Sequence, residues 1–155
     1  MHAAGLTHGA FPAHFASKDA LAVASLECLL KASLNKIDQA ALNAESRHSF
    51  FENYLSKKHR DHASTGCPMV ALSTEITRKN GKARKVFTTY FADLVDKFSN
   101  RFFHRRRNPR QEAIAHISMM VGALTLARAV GDKDLSDEIL SSTRLQMGFN
   151  LDSKD

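Results

Sequence analysis

Cys67 stands directly before Pro68 in the run Gly66-Cys67-Pro68-Met69. A proline suits the first position of a helix, so the cysteine falls at a helix N-terminus, where the dipole and free amides favour a thiolate. Redox sensing is one chemistry open to it; simple packing of a small residue before Pro68 is the other. His59 and His62 have a spacing that could hold a metal, but no nearby cysteine completes a ligand set and no metal is expected. The run Arg101-Phe102-Phe103-His104-Arg105-Arg106-Arg107-Asn108-Pro109-Arg110 mixes aromatics with arginines, the composition of a nucleic-acid patch. Phe102 and Phe103 also read as the end of a helix core, and the arginines as a solvated loop between helices. The chain carries no G-x-S-x-G elbow, phosphate-cradling G-x-x-x-x-G-K, H-E-x-x-H or dinucleotide fingerprint. Catalysis is therefore not expected, and neither is a cofactor.

These residues must be positioned by helices. Alanine and leucine total 37 residues against 11 valines and isoleucines, which leans all-α. Ser17 is an N-cap residue with Asp19 in the first turn, and Val23, Leu26, Leu30, Leu34 and Ile37 form a stripe to about Ala40. Ala44 to Leu55 carries Phe50, Phe51, Tyr54 and Leu55, and the polar run from Ser56 to Gly66 reads as a loop. Pro68 opens a helix to about Lys79 through Met69, Leu72 and Ile76. Lys82 to Phe103 has a broad apolar face of Phe87, Phe91, Leu94, Phe98 and Phe102, flanked by Val86, Tyr90 and Val95. Pro109 to Val130 is the most apolar helix, with Gly131 just past its end. Leu135 to Met147 is the last.

The Pro109 helix has apolar residues on two sides. Ile114, Ile117, Val121 and Leu124 form a seam, with Met119, Met120, Ala123 and Ala127 beside it. A second neighbour is required: another helix of the same chain, or the same helix of a second subunit with Gly122 allowing close approach.

A chain of 155 residues can bury a core without disulfides. Its two cysteines, Cys28 and Cys67, form no C-x-x-C pair and follow no apolar leader, so a reducing cytoplasm is expected. The longest apolar stretch, Ile117 to Ala127, is about half the roughly 20 residues a membrane span needs, and none is expected. The net charge of +6 is local: Lys97, Arg101, Arg105, Arg106, Arg107 and Arg110 lie in a segment without an acid, and basic and acidic residues balance elsewhere.

Residues 3–21 run Ala-Ala-Gly-Leu-Thr-His-Gly-Ala-Phe-Pro-Ala-His-Phe-Ala-Ser-Lys-Asp-Ala-Leu. Ala3 to Leu6 resemble a helix end and a glycine turn, Thr7 reads as a helix cap, and Phe11 and Phe15 as core anchors four residues apart. Small residues at His8-Gly9-Ala10 allow approach to a groove, and Lys18 at a helix start can meet a phosphate. This pattern resembles the second half of the helix-turn-helix of the TetR (tetracycline-repressor) family of bacterial transcriptional regulators. The segments Tyr54-Leu55-Ser56 with His59-Arg60-Asp61, Gly66-Cys67-Pro68-Met69, Val121 to Asp132 and Leu135 to Leu140 resemble that family's effector-binding and dimerisation domain.

The resemblance implies an all-α homodimer joined through its last two long helices, with a partial helix-turn-helix in residues 1–18 and the effector-binding and dimerisation domain in 19–155. It implies a cytoplasmic, ligand-responsive repressor that meets duplex DNA at Thr7, His8, Gly9, Ala10, His14 and Lys18. The small-molecule effector would lie among Tyr54, Met69, Phe87, Tyr90, Phe91 and Met119, each equally compatible with plain core packing. The dimer interface would include Ile117, Val121, Gly122, Leu124, Arg128, Ile139 and Leu140. Family members carry a first helix and most of a second before this motif, where here only Met1 and His2 stand. Pro12 replaces the family's tyrosine and removes a hydrogen bond inside the recognition helix. These departures imply the alternative of a dimeric small-molecule-binding module that has lost DNA binding.

Overall fold

The computed structural model describes residues 17–40, 43–63, 66–78 and 81–147, with the side chain of residue 44 excepted. Among these residues the fold is all-α, with seven helices and no strand: α1 (Lys18–Ala40), α2 (Ala44–Tyr54), α3 (Lys57–Asp61), α4 (Pro68–Thr77), α5 (Lys82–Phe102), α6 (Pro109–Ala129) and α7 (Lys133–Gln146). Thr7, His8, Gly9, Ala10 and His14 lie outside the described residues, and Lys18 is the exposed first residue of α1.

Side chains fix where the helices begin. The Ala20 N–H donates to Ser17 Oγ (3.0 Å), capping α1 as its sequence predicts. Asn43 caps α2 reciprocally: its Oδ1 accepts from the Ser46 N–H (2.8 Å), and its own N–H donates to Ser46 Oγ (2.9 Å). Asp132 caps α7 through the Leu135 N–H (2.9 Å). Pro109 occupies the first turn of α6. The end of α6 differs from expectation: Val130 turns the chain out in an extended conformation (φ −75°, ψ 137°), and Gly131 is not left-handed. Among the described residues only Gly81 has positive φ (69°), where the chain turns into α5.

Helix α5 is central, packed on α1 along one side and on α6 along the other, and α6 pairs in turn with α7. Helix α4 reaches α1, α5 and α6, while α3 sits against α6. An aromatic cluster ties α2 to α5. The Phe98 ring stacks on Phe102 at 4.8 Å and meets Phe50 edge-on at 6.0 Å, and Phe51 meets Phe102 edge-on at 5.2 Å. Offset and edge-to-face arrangements of this kind are the favoured geometries for aromatic pairs. The segment from Ser56 to Gly66, expected to be a loop, contains α3, a single helical turn capped by Ser56 Oγ accepting from the His59 N–H (3.1 Å).

Candidate functional site

Residues of six helices, with His59 from α3, line one cavity of about 280 Å³. Ser33, Lys36 and Ile37 come from α1, Phe50 and Tyr54 from α2, and Tyr90, Leu94 and Phe98 from α5, the last three at steps of four. Ile117, Met120 and Val121 of α6 form the opposite wall, and Cys67, Pro68 and Met69 at the start of α4 complete it. The lining is mostly apolar with a few polar groups, as small-molecule sites are.

The polar groups are distinct in their commitments. Tyr90 Oη and Ser33 Oγ lie 3.1 Å apart and satisfy one another, while burial pushes the Tyr90 phenol up to about 12. Tyr54 Oη is fully covered, and its polar neighbour is the Cys67 thiol. Burial, with the Cys67 thiol beside it, raises the Tyr54 phenol far above its ordinary value, so it stays protonated at neutral pH.

His59 ties this corner together. Its Nδ1 lies 2.7 Å from the Tyr54 carbonyl oxygen. A carbonyl can only accept, so Nδ1 carries the proton. Nε2 is then free to accept from the Cys67 N–H (3.2 Å). The neutral ring thus holds the end of α2 and the entry to α4 at once, and it packs edge-on against Tyr54 at 4.9 Å. Burial lowers the His59 pKa, and the nearby Arg128 and Lys36 charges lower it further against the raising effect of the Tyr54 carbonyl. Gly66 leaves the space this requires: a Cβ there would stand 3.0 Å from an Arg128 Nη and 3.1 Å from His59 Nε2.

Protonating His59 would place a second N–H against that of Cys67 and abolish the bond. Because the folded state binds this proton less readily than the unfolded chain, its contribution is complete above the ordinary histidine value of about 6.5 and declines below it. Urea midpoints should therefore fall between pH 7 and pH 5, and His59→Gln should flatten that fall. An equally steep fall in the variant would place the titration elsewhere. The Asp61 and Asp137 carboxyls, lowered by Arg60 and by Lys57 with Arg60 respectively, act only in the more acidic carboxylate range.

Helix α3 is held by charged partners. Arg128 on α6 donates from an Nη to the His59 carbonyl (2.7 Å) and from Nε to the Arg60 carbonyl (3.0 Å). Arg60 in turn pairs with Asp61 (2.7 Å) and Asp137 (2.6 Å) and donates to Ser136 Oγ (2.9 Å). The buried Ser136 hydroxyl passes the connection on to the Ala127 carbonyl (2.6 Å).

No protein-family model matches this chain, and no curated protein matches it.

Of the six residues expected around an effector, the structure brings Tyr54, Met69 and Tyr90 to the cavity. Phe87, Phe91 and Met119 are half-buried and lie outside its lining. On α6 the cavity takes Met120 instead, one residue and about 100° further round the helix. Sequence reasoning missed Phe50, Leu94 and Phe98 as wall residues although it placed all three on apolar faces, and it missed His59 because its role is set by distant carbonyls.

Several residues of the expected dimer seam are covered within one chain. Ile117, Leu124 and Leu140 are 3%, 0% and 1% exposed within a single chain, so none has surface left for a second copy. Val121 faces the cavity and Arg128 holds α3. Gly122 and Ile139 remain half-exposed, and a Cβ on Gly122 would meet open space. His59 and His62 bind different backbone carbonyls, those of Tyr54 and Lys58. Among the described residues no helix is long and apolar enough to cross a membrane.

Proposed function

We propose that this chain is a ligand-responsive transcriptional repressor of the TetR type, acting as a cytoplasmic homodimer that meets duplex DNA through the segment from Thr7 to Lys18. The observation that carries the reading is the cavity: an all-α body surrounds a half-open, mostly apolar space about 280 Å³ in volume, bordered by the helix that follows the proposed DNA-contacting motif in the chain. A molecule filling it touches α1 directly, and α1 begins at Lys18, the last residue of that motif. In this reading, occupancy of the cavity acts on the helix that follows the motif in the chain and so changes DNA affinity.

The dimer surface follows from where apolar side chains remain exposed. Among the described residues five large ones are exposed, and four of them, Ile114, Leu126, Leu135 and Leu145, lie on α6 and α7. The proposed interface is this outer surface with Gly122 and Ile139, rather than the buried seam. Leu126 and Leu145 are 57% and 65% exposed in one chain, so neither is needed for its core. A Leu126→Glu, Leu145→Glu double variant should run as a monomer at micromolar concentration in light scattering while keeping its helical circular dichroism, because a dimer would bury both carboxylates unpaired. A variant that remained dimeric would remove this surface from the interface.

DNA binding is tested by fluorescence anisotropy with duplex DNA from upstream of the chain's own gene, against a scrambled duplex, over a range of salt concentrations. Preference for the upstream duplex is the expected result. Equal and steeply salt-dependent binding to both would favour the second reading, an effector-binding dimer without sequence recognition, for which Pro12 in the motif is the supporting feature.

A further inference from the structure

We infer that the cavity takes an uncharged, flat aromatic molecule of about two fused rings, seated against a wall made by the rings of Phe98, Phe50, Tyr54 and His59. The inference rests on the cavity being the effector site proposed above and names the class of molecule it admits.

The four rings of that wall come from three helices and touch in sequence. Phe98 of α5 meets Phe50 edge-on at 6.0 Å, Phe50 lies tilted against Tyr54 at 6.2 Å, and Tyr54 meets the His59 ring of α3 edge-on at 4.9 Å. Phe50 is only half-buried, so it keeps ring surface for a further partner. Another aromatic ring can stack on such a wall or meet it edge-on, gaining more than its buried area alone supplies. Met69 and Met120 bring thioethers to the same space, and sulfur also favours an aromatic neighbour.

Polar side chains in the interior are already engaged. Tyr54 Oη has no surface open to the cavity and has the Cys67 thiol beside it. Tyr90 is paired with Ser33, and both His59 ring nitrogens are bound. No aspartate or glutamate lines the space, and its lysine, Lys36, is exposed to water. A charged or strongly hydrogen-bonding group carried inside would therefore give up water without a side-chain partner in exchange. The open side is itself partly apolar, since Leu29, 47% exposed, belongs to the lining. Size sets the number of rings. An apolar cavity of about 150 Å³ accepts benzene, and this one, at about 280 Å³, has room for a second fused ring.

The test is equilibrium dialysis of the full chain at pH 7.5 against naphthalene, 2-naphthol, 2-naphthoate and 2-decalol, the last being the saturated counterpart of 2-naphthol. Naphthalene should bind most tightly, and 2-naphthoate at least roughly tenfold more weakly, because its charge would be buried without a partner. Affinity for 2-naphthol should exceed that for 2-decalol by about three- to tenfold, the worth of ring-on-ring contact beyond area. Phe50→Leu should weaken 2-naphthol and leave 2-decalol nearly unchanged, with circular dichroism checking the fold; the comparison of ligands on the unaltered chain stands without it. Binding of 2-naphthoate as tightly as naphthalene would overturn the assignment of an uncharged ligand. Binding of 2-naphthol far more tightly than naphthalene would reveal an open polar partner and overturn it too. Equal affinity for 2-naphthol and 2-decalol would remove the preference for an aromatic ring and with it the inference. Failure of all four to bind would also overturn it, while the DNA measurement, which uses no ligand, would judge the regulator reading separately.

Discussion

Replacing Phe98 with alanine should lower the free energy of unfolding by about 3–5 kcal/mol, a large share of the roughly 5–15 kcal/mol that holds a typical domain together. The side chain is only 2% exposed. Its ring stacks on Phe102 at 4.8 Å and meets Phe50 and Phe51 edge-on at 6.0 and 6.3 Å. Truncation therefore removes transfer free energy and three oriented ring contacts together. The void would not close, because its ring neighbours Phe50, Phe51 and Phe102 also pack on one another and the space would open into the adjoining cavity. In urea the midpoint should fall with an unchanged slope, the signature of lost stability rather than of an altered unfolded state. Phe98→Leu should recover part of the loss by refilling volume without restoring the ring geometry. A cost below about 1 kcal/mol for Phe98→Ala would contradict the packing of the α2–α5 cluster.

The long helices were legible because their apolar residues recur at three and four. Leu26, Leu30 and Ile37 of the predicted stripe on α1 are buried, and Ser17 caps that helix as its type suggests. Helix α3 had no such signal. Its residues, Lys57 to Asp61, are all polar, and the partners that stabilise it, Arg128, Ser136 and Asp137, lie roughly seventy residues or more away in the chain. Local sequence cannot reveal a helix whose carbonyls are held from another element.

The cavity was half-legible for a related reason. Periodicity identifies which side of a helix is buried, but a cavity wall and a solid core use the same residue types. Tyr90, Leu94 and Phe98 share a face of α5 that meets the cavity, whereas Phe87, on nearly the same face one turn earlier, and Phe91 lie outside its lining. Likewise the seam through Ile117 and Leu124 was read correctly as apolar, yet spacing alone does not say whose helix covers it. Leu124 is completely buried by its own chain, and the outer face is marked instead by leucines that break the stripe, such as Leu126.

The clearest demonstration that a distant residue shapes the site would come from Arg128→Ala, expected to cost roughly 2–4 kcal/mol. Its two charge-assisted hydrogen bonds, at 2.7 and 3.0 Å, satisfy the His59 and Arg60 carbonyls. Each bond of this kind is worth about 1.5–3 kcal/mol before water replaces part of it. Arg128→Lys should recover less than half of the loss, since an ammonium is a point donor and cannot serve both carbonyls with the geometry of the guanidinium fork. The second readout is local. With α3 released, His59 should no longer hold the Cys67 N–H, and hydrogen exchange at that amide should accelerate more than exchange in the middle of α5. Phe98→Ala should show the reverse ordering, with the larger change in α5. If Arg128→Ala instead left the Cys67 amide as protected as before, the entry to α4 would be fixed without α3, and the connection from α6 to the Tyr54 corner through His59 would have to be abandoned.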